Sequence, residues 1–113
     1  RTEKPKKKST KKKKASPEGD FTNILITRYL AEGWLVIRIN SGMVKTEHGF
    51  PFFAYTIANT GGHSGFPDLL LMKGNEYKLI EVKAKGGRLS ENQIRFQIMA
   101  AKMGVNYEVV SPS

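Results

Sequence analysis

The chain has 113 residues, 39% of them hydrophobic, with no cysteine and a formal net charge of +9. That length allows one domain with a modest core, and the missing cysteines exclude a disulfide framework and a thiolate zinc site. No apolar run approaches the roughly 20 residues of a membrane span, and the N-terminus lacks a signal peptide's apolar region, so an intracellular protein with no membrane partner is expected.

The charge is unevenly spread. Residues 1–17 hold nine of the 19 Lys and Arg and only Glu3 of the ten acids, a net +8, which leaves +1 for the other 96 residues. Residues 1–15 have almost no apolar side chains to offset ordering entropy and are expected to form a disordered basic tail, with a folded domain over 16–113. Such an arm suits salt-dependent phosphate contact without sequence readout; a solubilising tail and a nuclear-localisation look-alike are the bland alternatives.

Ser16-Pro17 predicts the start of a helix, with serine as N-cap and proline at the first position. Glu18, Phe21 and Leu25 follow helical spacing, so Glu18 shares a stripe with residues that should pack on a sheet. Asp20 competes as the inward acid, and Glu18 could simply complement the helix N-terminus. The helix is expected to stop near Glu32-Gly33. Residues 34–39, WLVIRI, predict a strand buried on both faces. Arg38 and Asn40 interrupt it; they face a DNA groove, or else Arg38 is solvated and Asn40 begins a turn.

Residues 43–57 predict an accessory hairpin, turning near Glu47-His48-Gly49 and rich in aromatics, for which core packing is the default. Residues 59–65, NTGGHSG, form a glycine-rich loop whose free N–H groups suit a phosphate. His63 and Ser64 are its candidate DNA contacts, although a lone loop histidine is more often just exposed. No GxxxxGK[ST] element occurs, which argues against a nucleotide cofactor.

Residues 66–83, FPDLLLMKGNEYKLIEVK, are the centre of the chain. Two strand-like runs flank Gly74-Asn75, a two-residue hairpin signal, and that turn sets Asp68 opposite Glu81. Opposed like charges repel across a ladder, so the pair needs a reason. Alternation puts Leu79, Glu81 and Lys83 on the face of Asp68, and Ile80 and Val82 on the other. Two carboxylates beside an ammonium would suit a hard cation such as Mg²⁺.

Beyond it, residues 85–88 form a basic, glycine-containing connection in which Lys85 and Arg88 are candidate DNA contacts. Ser90-Glu91-Asn92-Gln93 is a capping box, Leu89 and Ile94 can staple it, and Gly104 supplies the stop. Ile94, Ile98 and Ala101 predict the stripe that packs on the sheet, with Phe96, Met99 and Met103 beside it. Capping alone accounts for Gln93. Residues 106–110 predict the last strand.

Pro67-Asp68 followed by Glu81-Val82-Lys83 resembles the PD-(D/E)XK nuclease signature. The wording GFPDLLL, IEVK and GGRLSENQ is similar to the VRR-NUC branch, found as small stand-alone phage and bacterial proteins and as the nuclease domain of larger DNA-repair enzymes. The resemblance runs from about Glu18 to Val110. It implies an α/β fold of restriction-endonuclease type: an αβββαβ core, a mixed central sheet flanked by helices, with the accessory hairpin added.

The resemblance further implies Asp68, Glu81, Lys83 and Gln93 as catalytic residues. It also implies Mg²⁺ or Mn²⁺ held by Glu18, Asp68, Glu81 and the Val82 carbonyl. Branched DNA is the implied substrate, cut as a Holliday-junction resolvase would by a homodimer, or as a flap or general nuclease. A non-catalytic DNA-binding module on the same fold, or a structural protein with a basic tail, is the alternative from another class.

Overall fold

The structure is a computed structural model that describes residues 17–39, 43–45, 47, 49, 51–53 and 55–112, with residues 43–45 and 51–53 described by backbone alone. The expectations for the basic tail, Ser16, Asn40, His48 and Phe50 lie outside the described residues.

The element order is α1 (Pro17–Ala31), β1 (Leu35–Arg38), β2 (Met43–Lys45), β3 (Pro51–Phe53), β4 (Leu69–Lys73), β5 (Glu76–Val82), α2 (Glu91–Met103) and β6 (Tyr107–Val110). The main sheet runs β1-β4-β5-β6, antiparallel except for the parallel β5–β6 pair, while β2 and β3 form a separate antiparallel ladder. This is the αβββαβ order with an accessory hairpin, and the sheet is mixed as expected. The second arm of the hairpin ends early, since Ile57 instead bridges to Gly62 across a tight turn.

The sheet separates two cores. On one side Leu25 of α1 packs with Leu69, Leu71, Ile80 and Val82; on the other Leu79 packs with Phe96 and Ala100 of α2. The alternation read from the sequence therefore holds, with Ile80 and Val82 turned away from Leu79. Leu25 is fully buried. Truncating such a side chain to alanine costs about 2–5 kcal/mol, which measures how firmly it holds α1 against the sheet.

Two packing expectations are corrected. The strand over β1 is not buried on both faces: it is the sheet's edge, with Leu35 59% exposed. The stripe of Ile94, Ile98 and Ala101 does not pack on the sheet either. These residues are exposed, and α2 instead buries Phe96 and Ala100, with Gln93 and Met99 half-buried. Helical spacing offered two apolar stripes, and the larger ring of Phe96 wins because it completes a cluster with Phe66 and Tyr107, at centroid distances of 5.4 and 5.6 Å.

Candidate active site

The β4–β5 turn has the two-residue form read from the sequence. Gly74 takes φ +61° while, among the described residues, no non-glycine has positive φ, the pattern of a II′ turn. The ladder pairs Leu69 with Ile80 and continues to Lys73 with Glu76, so Asp68, one step before β4, falls opposite Glu81. Pro67 and Gly65 are buried just upstream. Gly65 is required there: at φ +91° it lies so close to α2 that a Cβ would sit 2.6 Å from the Asn92 carbonyl oxygen.

Asp68 is held by the strand it faces, since its Oδ2 accepts the Val82 backbone N–H at 2.8 Å. Glu81 is 1% exposed. Its Oε2 accepts from Gln93 Nε2 at 3.0 Å and lies 4.0 Å from Lys83 Nζ, whereas its buried Oε1 has no hydrogen-bond partner among the described residues. Burial pushes the Glu81 carboxyl up to about 8, helped by the neighbouring Asp68 carboxylate; Lys83 opposes this and Glu18 adds slightly.

Gln93 does both jobs the sequence left open. Its backbone N–H donates to Ser90 Oγ and its Oε1 accepts the Ser90 N–H, closing the capping box, while Nε2 reaches Glu81. The cap fixes the side chain that orients the carboxylate.

A cleft of about 480 Å³ opens beside Asp68 and is lined also by Pro17, Glu18, Thr22, Arg38 and Ala84. Glu18 is half-buried there and Asp20 is exposed, which favours Glu18 as the inward acid. Thr22 donates its hydroxyl to the Glu18 carbonyl one turn back along α1, at 2.8 Å. Arg38 is exposed at the rim, with Nη1 3.5 Å from Asn23 Oδ1.

The remaining candidates are spread around the site. His63 Nδ1 lies 2.7 Å from the Tyr55 carbonyl, so in the neutral ring that nitrogen carries the proton. Ser64 Oγ accepts from Asn92 Nδ2 at 2.7 Å, tying the glycine-rich loop to α2. Lys85 and Arg88 are exposed on the loop after β5. There Gly86, at φ +76°, makes a turn closed by Gly87 N–H to the Ala84 carbonyl.

Sequence reasoning missed Tyr107. Its hydroxyl is buried without a hydrogen-bond partner among the described residues and is pushed up to about 12, by burial first and then by the charges of Glu81 and Asp68. The available signal was its place in the last strand, on a face that the sequence did not identify as the site's.

Among the described residues, no group of three or more His, Cys, Asp and Glu side chains comes together as a metal cage. The donor set nevertheless fits a hard divalent ion, because Mg²⁺ uses one or two carboxylates plus water and phosphate oxygens rather than an all-protein cage. The orphaned Glu81 Oε1 beside Asp68 is the acceptor such an ion would take up.

Among the described residues, no helix is long and apolar enough to cross a membrane. No curated protein and no solved structure gives a match. The profile of the VRR-NUC domain matches residues 44–112, a shorter span than the resemblance read from Glu18 onward, so that α1 and β1 with Glu18 and Arg38 lie outside it. With most of the chain matched, and with Asp68 opposite Glu81 at the end of the central hairpin, this protein belongs to the VRR-NUC domain family and carries a nuclease-type, DNA-acting domain.

Proposed function

We propose that the chain is a divalent-cation-dependent deoxyribonuclease that hydrolyses phosphodiester bonds in branched DNA inside the cell. The observation that supports this best is Glu81: a buried carboxylate facing another carboxylate, with one oxygen lacking a donor. Asp68, Glu81, the Val82 carbonyl and Glu18 would hold Mg²⁺ or Mn²⁺. Such an ion supplies polarisation of the scissile phosphate and a lowered pKa for the attacking water.

The chain's own groups carry the rest of the mechanism. Glu81 releases its proton when it becomes a ligand, so cation uptake strengthens as pH rises towards 8. Gln93 keeps the Glu81 plane fixed. Lys83, next to Glu81, orients the water or balances the charge that develops on the phosphate. Arg38, Asn40, His63, Ser64, Lys85 and Arg88 are the proposed contacts to the DNA backbone. Symmetric cutting of a four-way junction calls for a twofold homodimer, which is part of the proposal.

The test is cleavage of end-labelled four-way junction, flap, duplex and single-stranded DNA in Mg²⁺, Mn²⁺ or EDTA. Wild type is compared with Asp68→Ala, Glu81→Ala and Lys83→Ala. Metal-dependent cutting by wild type alone, with paired nicks on the junction and a dimer by light scattering, is the expected result. Binding without cutting in either metal would reduce the protein to a DNA-binding module, and cutting by a folded Glu81→Ala variant would remove the mechanism.

A further inference from the structure

A second cavity, of about 260 Å³, opens between the glycine-rich loop and α2, apart from the cleft beside Asp68. Its floor is apolar, the buried ring of Phe96 with half-buried Ile57, and its rim is polar, with Thr60, Asn92 and Arg95 exposed. That volume lies just below the roughly 300–1,000 Å³ of pockets that enclose drug-sized ligands, so it suits one flat ring rather than a whole nucleotide.

The rim is held in place before any ligand arrives. Asn92 Nδ2 donates to Ser64 Oγ at 2.7 Å, and its Oδ1 accepts from Arg95 Nη1 at 3.0 Å. Asn92 keeps one amide hydrogen and one oxygen lone pair, a donor and an acceptor for the edge of a base. Arg95 Nη2 donates to Glu91 Oε2 at 3.0 Å, so both terminal nitrogens are tied and the plane of the guanidinium is set. Such planes stack on nucleobases.

Charge decides between a base and a phosphate. Among the described residues that line the cavity, Arg95 alone is basic, and Glu91 balances it. A phosphate is held best by excess positive charge, whereas a neutral rim over an apolar floor favours a neutral heterocycle. The cavity also adjoins the carboxylates along the chain: Ser64 stands four residues before Asp68, and Asn92 precedes Gln93, whose Nε2 reaches Glu81.

We propose that this cavity takes one unpaired nucleobase from the strand being cut, stacked on Arg95 over the Phe96 floor and bonded along its edge by Asn92. The inference rests on the nuclease reading above and gives it a substrate feature. A base enters only after leaving its stack, which costs least where it is already unpaired, as at a branch point or in a flap.

The probe is a 5′-flap DNA with an abasic nucleotide placed in turn at each position around the branch, its binding followed by fluorescence anisotropy in EDTA. Full-length wild type is compared with Arg95→Ala and Arg95→Lys, and cleavage in Mg²⁺ and Mn²⁺ is measured in parallel. Wild type should bind about 10- to 100-fold more weakly when one particular position lacks its base, the usual worth of a stacked base. Both variants should bind intact DNA that much more weakly and ignore the abasic substitution, at unchanged melting temperature. The abasic scan of wild type needs no variant, so it tests the pocket even where a variant fails to fold.

Lysine keeps the charge but has no planar face. Rescue by Arg95→Lys, or an equal loss in Arg95→Ala on intact and abasic DNA, would make Arg95 a phosphate contact and overturn the proposal. Wild type that cuts DNA yet is indifferent to every abasic position would overturn the pocket alone. An abasic effect without cutting in either metal would instead bring down the nuclease reading and leave the base-binding pocket standing.

Discussion

In the metal-free protein, Glu81→Gln should remove a loss of stability that wild type suffers as pH rises. The folded-state pKa of Glu81 is raised from 4.5 to about 8, so the folded protein keeps a proton that the unfolded chain releases. Stability from this group is complete below about 4.5, falls as pH climbs, and is gone once pH passes about 8. At about 1.4 kcal/mol per pKa unit, this displacement corresponds to roughly 5 kcal/mol as an upper bound. Solvent does little to screen it, because Glu81 is 1% exposed.

A loss of that size is a large share of the roughly 5–15 kcal/mol that holds a domain together. Glutamine keeps the shape and the acceptor for Gln93 and has no proton to lose as pH rises. The assay is urea unfolding in EDTA near pH 5 and near pH 9. Wild type should lose several kcal/mol more than the variant between the two, and Mg²⁺ at the higher pH should restore wild type alone. Parallel pH curves for the two proteins would refute the account of a Glu81 carboxyl that keeps its proton in the folded protein.

Gln93→Ala removes half of a capping box and the donor to Glu81. It should cost about 1 kcal/mol in stability and about 10- to 100-fold in cleavage. Gln93→Glu retains the capping acceptor without the donor, so cleavage should fall in both variants while fast amide exchange at Ser90 appears only with alanine. Gly65→Ala would force a Cβ to within 2.6 Å of the Asn92 carbonyl oxygen at a positive φ, and chemical unfolding should register a loss of about 1–3 kcal/mol. Unchanged stability there would mean that the glycine-rich loop is not seated on α2 as described.

Features set by neighbouring residues were legible in the sequence. Gly74-Asn75 determined the turn, and the turn determined the register that opposes Asp68 and Glu81. Ser90, Gln93 and Gly104 bounded α2, with Gly104 left-handed at φ 73° as a helix stop requires. Glu18 was placed inward by its spacing to Phe21 and Leu25, and it does line the cleft. These are short-range effects of turn chemistry, capping and side-chain periodicity, which a sequence carries without reference to the rest of the fold.

Only the tertiary structure decided which surfaces meet. The outward turn of Ile94 and Ile98 was not legible, because two stripes of α2 are apolar and only contact with the sheet selects Phe96 and Ala100. The edge position of β1 depends on strand order, which hydropathy does not encode. Asp68 accepting the Val82 N–H, Gln93 reaching Glu81 across 12 residues, and Tyr107 entering from a parallel strand are likewise consequences of packing. The sequence by itself determined that two carboxylates face each other; burial, with α2 bringing Gln93 to Glu81, decided that one of them holds a proton near neutrality, because desolvation arises only when distant segments close over the group.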